Sequence, residues 1–312
     1  MCLFPWVISM QTVFRAVAVA GLVCGGWAGP ARAGFGVAVS FNDQAGTYAS
    51  YYGEIAAGVQ AAGAAWSSHI AGTSGTIRIQ VNFDNEPTAS SASTTTQFVG
   101  TDGATSVYQQ GALAAVLNGY SPAGTAYDAV LNIGTSYLAN TLWFDPNPAA
   151  RTAPVPADRV DAESVFLHEF GHILVFNGFR NQTNGTLPGA YESTFDRATT
   201  FDGRNFYFTG ARAEAVYGGP VPLTYGNIFH VGNNAPRPGA DLVPDLMNGV
   251  VYDYQTRYAI SALDLAIAAD VGVPIMTAAA TVPEPASAAL LVVALVVVGH
   301  RAGRRRAAVG VD

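Results

Sequence analysis

The sequence predicts an α+β fold: a mixed twisted sheet, one long central helix and a loop-rich C-terminal subdomain. Three observations carry that expectation. Strand and helix patterns intermix before residue 158, whereas helices and long loops follow residue 180. Residues 76–83 alternate Ile77, Ile79, Val81 and Phe83 with polar partners, the period of a half-buried strand. Of the 312 residues 50% are hydrophobic and 12% charged, which suits one large domain and excludes a disordered chain, a coiled coil and a collagen-like fibre.

The elements follow in chain order. Residues 35–41 alternate towards a first strand, and residues 51–70 place Ile55, Val59, Ala62 and Trp66 at helical spacing. Residues 88–96 are rich in Ser and Thr and read as an exposed loop. Residues 126–133 and 141–144 read as two further strands, the second short. The best-specified helix covers residues 158–178, with Asp158 or Asp161 as N-cap and Asn177-Gly178 as a left-handed stop. Residues 260–266 suggest a last amphipathic helix packing Leu263, Ala266 and Ile267 inward. No internal repeat is visible, and the loops 181–189 and 233–241 read as ordered excursions within one domain.

Charge and termini restrict the partners. All 15 basic residues are arginine, against 22 acidic residues, for a net charge of −7. Such a chain offers no diffuse basic field for nucleic acid or an anionic membrane. An apolar stretch over residues 16–27 follows Arg15 and leads to Ala31-Arg32-Ala33, a secretory signal over residues 1–33 with cleavage after Ala33. Met10 competes with Met1 as its start. Cys2 and Cys24 both fall in the removed piece, so the expected mature domain, residues 34–281, has neither thiol nor disulfide.

The other end reads Val282-Pro283-Glu284-Pro285, then an apolar run to Gly299, then Arg301 and Arg304-Arg305-Arg306. The run is short for a free span of a ~30 Å hydrocarbon core, and the arginines hold its end on the cytoplasmic side. Residues 282–306 resemble the PEP-CTERM sorting tail of Gram-negative exported proteins. The resemblance implies transient membrane association through the tail and a sorting transpeptidase as partner. It also implies release to the cell surface, the extracellular matrix or the outer envelope. A plain stop-transfer anchor is the alternative.

The chemistry concentrates in His168-Glu169-Phe170-Gly171-His172. Imidazoles at i and i+4 project in parallel from a helix and can take two corners of a zinc tetrahedron, with ligand bonds of ~2.0–2.1 Å. Phe166, Phe170 and Ile173 form the opposite, core-directed face. Glu169 lies about 100° round the helix, suited to act as general base on a water at the open corner. A catalytic Zn2+ needs a third protein ligand. His300 lies in the tail and His69 far upstream, so His230, after the run 225–229 (a short strand or turn), is the first candidate. Glu192 is the alternative metal ligand, twenty residues past the second histidine (192 − 172 = 20), with Asp196 behind it.

These residues resemble a metzincin metalloprotease. The wide gap from His172 to His230 is similar to leishmanolysin-like proteases, which insert a subdomain there. The resemblance implies a zincin-like catalytic domain, a Met-turn at Asp245-Leu246-Met247-Asn248 with Met247 beneath the metal, and a closing helix over 260–266. Read alone, Met247 is core packing. The compact metzincin pattern is absent, because Val175 and Gly178 stand where its glycine and third histidine would be. The zinc helix is therefore expected to run about a turn longer. The expected function is hydrolysis of peptide bonds in a protein or peptide substrate; Tyr252 and Tyr254 read first as packing residues, with a hydrogen bond to the developing oxyanion as their alternative role. The competing expectation is a non-catalytic surface or matrix protein with a structural zinc site.

Overall fold

The computed structural model describes residues 34–276, apart from residue 125. The chain order is β1 (Gly36–Asn42), α1 (Tyr52–Ser67), β2 (Thr76–Asp84), β3 (Ala89–Ser93), β4 (Thr96–Asp102), β5 (Thr105–Gln110) and α2 (Gly111–Asn118). Then come β6 (Ala129–Gly134), α3 (Thr135–Asn140), β7 (Leu142–Trp143), β8 (Val160–Asp161) and α4 (Ala162–Leu174). The last third carries β9 (Tyr191–Ser193), α5 (Thr194–Arg197), β10 (Thr199–Phe201), β11 (Phe206–Phe208), α6 (Ala211–Tyr217), β12 (Val221–Leu223) and α7 (Ala262–Asp270). Mixed sheets and helices make it an α+β protein.

The main sheet has the order β1-β2-β6-β3. Its first three strands are parallel, and β3 pairs antiparallel with β6 at the edge. Ile77, Ile79 and Val81 of β2 and Ala129, Leu131 and Ile133 of β6 are buried with α1 and α4 in the core. The opposite face carries a row in register: Asn42 donates to Asn82, Asn82 to Asn132, Asn132 to Ser90, and Ser90 to Glu86. Residues 88–96 are thus largely an edge strand rather than a loop. Their serines suit a half-buried strand whose pairing comes from β6, not from hydrophobic alternation.

α1 and α4 pack closely because a Cβ at Gly58 would lie 2.7 Å from the Phe166 ring. Trp66 Nε1 donates to Leu167 O at 2.9 Å across the same interface. Asp161 caps α4 by accepting from Ser164 N at 3.1 Å, and is itself gripped by Arg151 at 2.6 Å. Asp158 lies outside the helix and pairs with exposed Arg159.

Two expectations about α4 are corrected. Every residue of α4 is buried, the His168 and His172 side included, and the helix begins at Ala162 rather than at residue 158. It also stops at Leu174, short of Asn177-Gly178. Val175 leaves the helical region (φ −138°, ψ −58°), and both Val175 N and Phe176 N donate to Gly171 O, at 2.8 and 2.9 Å. The break is driven by burial: Phe176 is fully enclosed and its ring sits 5.7 Å from that of Phe195.

Downstream, β9 joins the β4–β5 hairpin, while β10, β11 and β12 form a small antiparallel sheet. α6 and α7 close that end. β4, β5 and α2 carry no clear periodicity in the sequence. α7 begins with a Ser261/Asp264 capping box and buries Leu263, Ala266 and Ile267, as expected.

Candidate metal centre

α4 presents His168 and His172 one turn apart, and a turn supplies His230. That turn is closed by Asn227 N to Thr224 O (3.0 Å) and His230 N to Asn227 O (3.1 Å). Val231 N then donates to Met247 O (2.9 Å), which lays the segment beside residues 247–249. The three Nε2 atoms form a near-equilateral triangle: 3.0 Å from His168 to His172, 3.0 Å from His168 to His230 and 2.9 Å from His172 to His230.

The other nitrogen of each ring is already committed. His168 Nδ1 donates to Leu246 O at 2.7 Å, His172 Nδ1 to Phe176 O at 2.7 Å and His230 Nδ1 to Asn227 O at 3.2 Å. A carbonyl can only accept, so these bonds assign the proton of each neutral ring to Nδ1 and leave its Nε2 lone pair bare. Burial lowers the basicity of His168 to about 3, of His172 to about 4 and of His230 well below the ordinary histidine value. Three bare lone pairs at this spacing repel one another unless a cation sits among them. The donor set, three neutral imidazoles with carbonyls fixing their tautomers, fits a transition-metal ion. Among the described residues this is the group that could hold one.

Glu169 lies beside the triad, nearly enclosed, and its Oε2 has no hydrogen-bond partner among the described residues. Burial pushes its carboxyl up to about 7. Its backbone carbonyl accepts from Ser91 Oγ at 2.7 Å, tying α4 to β3. The triad and Glu169 open onto a cleft of about 880 Å³. Residues 87–91, Tyr137, Val165, Asn177 and Asn227 are among the residues that line it.

Met247 is fully buried beneath α4; a Cβ at Gly171 would lie 2.5 Å from its sulfur, so only glycine lets the two meet. Tyr252 stands edge-on to His168 at 5.4 Å, and its hydroxyl donates to Leu246 O at 2.5 Å. That hydroxyl is therefore spent on the scaffold. Tyr254 is exposed on the cleft rim.

Glu192 is not in the histidine group. It sits in β9 opposite Val107, and its carboxylate lies 4.0 Å from Arg180. Asp196 orients no histidine: it caps α5 and accepts from the backbone N–H groups of Phe179 (2.7 Å), Arg180 (3.2 Å) and Ser193 (2.9 Å). His69 follows α1, where its carbonyl accepts from Met276 N. The residues that sequence reasoning missed act mainly through backbone carbonyls, at Phe176, Asn227 and Leu246, which carry no side-chain signature. Tyr137 and Ser91 were equally invisible, since nothing local distinguishes them.

Residues 281–306 match the family model described as the PEP-CTERM protein-sorting motif. That motif is a sorting signal of exported Gram-negative proteins, consistent with an envelope or exported location. No curated protein and no solved structure matches the chain. The tail and the expected signal peptide, with Cys2 and Cys24, lie outside the described residues.

Proposed function

We propose that the protein is an exported zinc-dependent endopeptidase of the metzincin type, with Zn2+ held by His168, His172 and His230. One observation carries the reading. Three Nε2 lone pairs converge, each with its Nδ1 proton committed to a carbonyl, in the lining of an open cleft, beside a carboxylate whose Oε2 has no partner among the described residues. A structural zinc site closes its fourth corner with another Cys or His; here the described residues contribute three ligands and the remaining side faces the cleft. When bound, the metal supplies Lewis acidity that acidifies water and polarises a carbonyl.

The chain's own groups supply the rest. Glu169, held in an apolar setting, takes a proton from the attacking water and returns it to the leaving amine. β3 ends the main sheet, so its outer edge offers backbone groups to an extended peptide along the cleft. Among the described residues Glu169 and Asp253 are the only carboxylates lining that cleft and no arginine lines it, so substrate binding rests mainly on backbone bonds and apolar contacts. The test is hydrolysis of a casein-type substrate by purified protein, abolished by a chelator and restored by zinc. Glu169→Ala should keep zinc and lose nearly all turnover; full activity in that variant ends the assignment.

A further inference from the structure

The edge strand β3 meets the helix that carries Glu169 through one side chain. Gly134 N donates to Thr88 O at 2.8 Å and Thr94 N to Asp128 O at 2.9 Å, which fixes the antiparallel pairing of β3 with β6 at both ends. Residues in such a ladder alternate between those that exchange N–H···O bonds with the neighbour and those that turn both groups away. Thr88, Ser90, Ala92 and Thr94 therefore spend their N–H and C=O on β6, while Ala89 and Ser91 turn theirs to the free edge. Both Ala89 and Ser91 line the cleft.

The side chains alternate as well. Ser90 belongs to the polar row on the open face, bonded to Glu86 and Asn132. Ser91 stands opposite Leu131, on the face buried with α4, where an apolar residue is the ordinary choice. Its hydroxyl is spent on one acceptor: Oγ donates to Glu169 O at 2.7 Å. Among the described residues this is the sole hydrogen bond between β3 and α4. Ser91 thus offers its backbone to the cleft and grips the backbone of Glu169 at the same time.

We propose that Ser91 is a positioning residue that sets the register of an extended peptide, paired on its N–H and C=O, against Glu169. The inference rests on the peptidase reading above and adds the residue that gauges the distance. A peptide paired there runs about 4.8 Å outside β3, one strand spacing. Its offset from Glu169 then depends on two links, the backbone pairing with Ser91 and the bond from Ser91 Oγ to Glu169 O. Removing the hydroxyl leaves the backbone pairing intact, so the peptide still binds. What is lost is the alignment of the scissile bond with the base, and misalignment of this kind slows the chemical step.

The experiment is steady-state hydrolysis of a casein-derived peptide by the full, zinc-loaded chain, with zinc retention and urea unfolding measured on the same samples. Ser91→Ala should lose about tenfold in kcat with KM and zinc retention unchanged. Ser91→Thr restores a hydroxyl on a side chain suited to a strand and should recover most of the loss. Ser67→Ala controls for a merely structural role: it removes the acceptor of Phe35 N (2.9 Å) at the end of α1 and should lose stability but not kcat. Should Ser91→Ala fail to fold, Ser91→Cys serves instead, since its thiol has a similar shape and donates only weakly. A second readout needs no turnover. On the Glu169→Ala protein the peptide should slow amide exchange at Ala89 and Ser91 and leave Ser90 and Ala92 unaltered. Natural kcat in Ser91→Ala would overturn the proposal, as would a loss carried by KM alone or the opposite parity in exchange. Ser91→Thr as slow as Ser91→Ala, or Ser67→Ala slowed as much, would do the same. A natural protein that hydrolyses no peptide would end the peptidase reading and this inference with it, whereas an active natural protein with an unaffected Ser91→Ala variant ends this inference alone.

Discussion

Replacing Gly171 by alanine tests how the metal helix is seated. A Cβ there would lie 2.5 Å from the Met247 sulfur and 2.9 Å from its methyl carbon. Carbon contacts relax near 3.5–4.0 Å, so helix and turn must part by roughly 1 Å. Met247 is fully buried, so it cannot swing into solvent. Overpacking of this kind costs about 1–3 kcal/mol, offset by about 1 kcal/mol of helix propensity gained on leaving glycine. A net loss of up to about 2 kcal/mol is expected. The same parting stretches the bond from His168 Nδ1 to Leu246 O, and loss of such a ligand-orienting bond weakens metal binding by about 10- to 100-fold. Denaturant unfolding and zinc competition measure the two effects. Met247→Ala alone opens a cavity worth about 2–5 kcal/mol, and in the double variant the new methyl fills part of it. The double variant should therefore be less destabilised than the sum of the single ones, by about 1–3 kcal/mol. Wild-type stability for Gly171→Ala, with additive behaviour in the double variant, would refute the contact.

Glu163 gives a second pH signature. Burial pushes it up to about 8 from an ordinary 4.5, and its Oε2 has no partner among the described residues. Because the folded value is raised, stability falls as pH climbs from near 4.5 towards 8, by no more than about 5 kcal/mol. Glu163→Gln should flatten that slope in unfolding curves taken across the window, and an unchanged slope would contradict the assignment. Asp196→Ala strips three backbone N–H groups of their acceptor in a buried corner. It should cost at least about 3 kcal/mol in urea unfolding and expose the loop after α4 to proteolytic nicking. His230→Ala should weaken zinc retention far more than Glu192→Ala in equilibrium dialysis; the reverse order would move the third ligand to β9.

The pair His168 and His172 was legible because i and i+4 spacing on a capped helix is a local geometric fact. Trp66, Ile77 and Val81 likewise announced their elements by period alone. β3 was not legible, since Ser90 and Ser91 have no alternating apolar partners and become a strand only because β6 offers an edge. The end of α4 misled for a similar reason. Asn177-Gly178 is a sound local stop, but burying Phe176 against Phe195 broke the helix three residues earlier. His230 could be nominated by elimination, as an imidazole with few rivals, yet its direction came from the turn at 224–230 lying against residues 247–249.

Residue type and short-range spacing thus determined which atoms could ligate, which carboxylate stood next to them and that the tail carries a sorting motif. Those properties are set within one or two helical turns or a short linear stretch. Only the tertiary structure decided that three lone pairs meet, which carbonyls hold their rings and that Tyr252 spends its hydroxyl on Leu246. Each depends on contacts between distant segments, whose pairing is chosen by the burial of the whole core and leaves no mark in the local sequence.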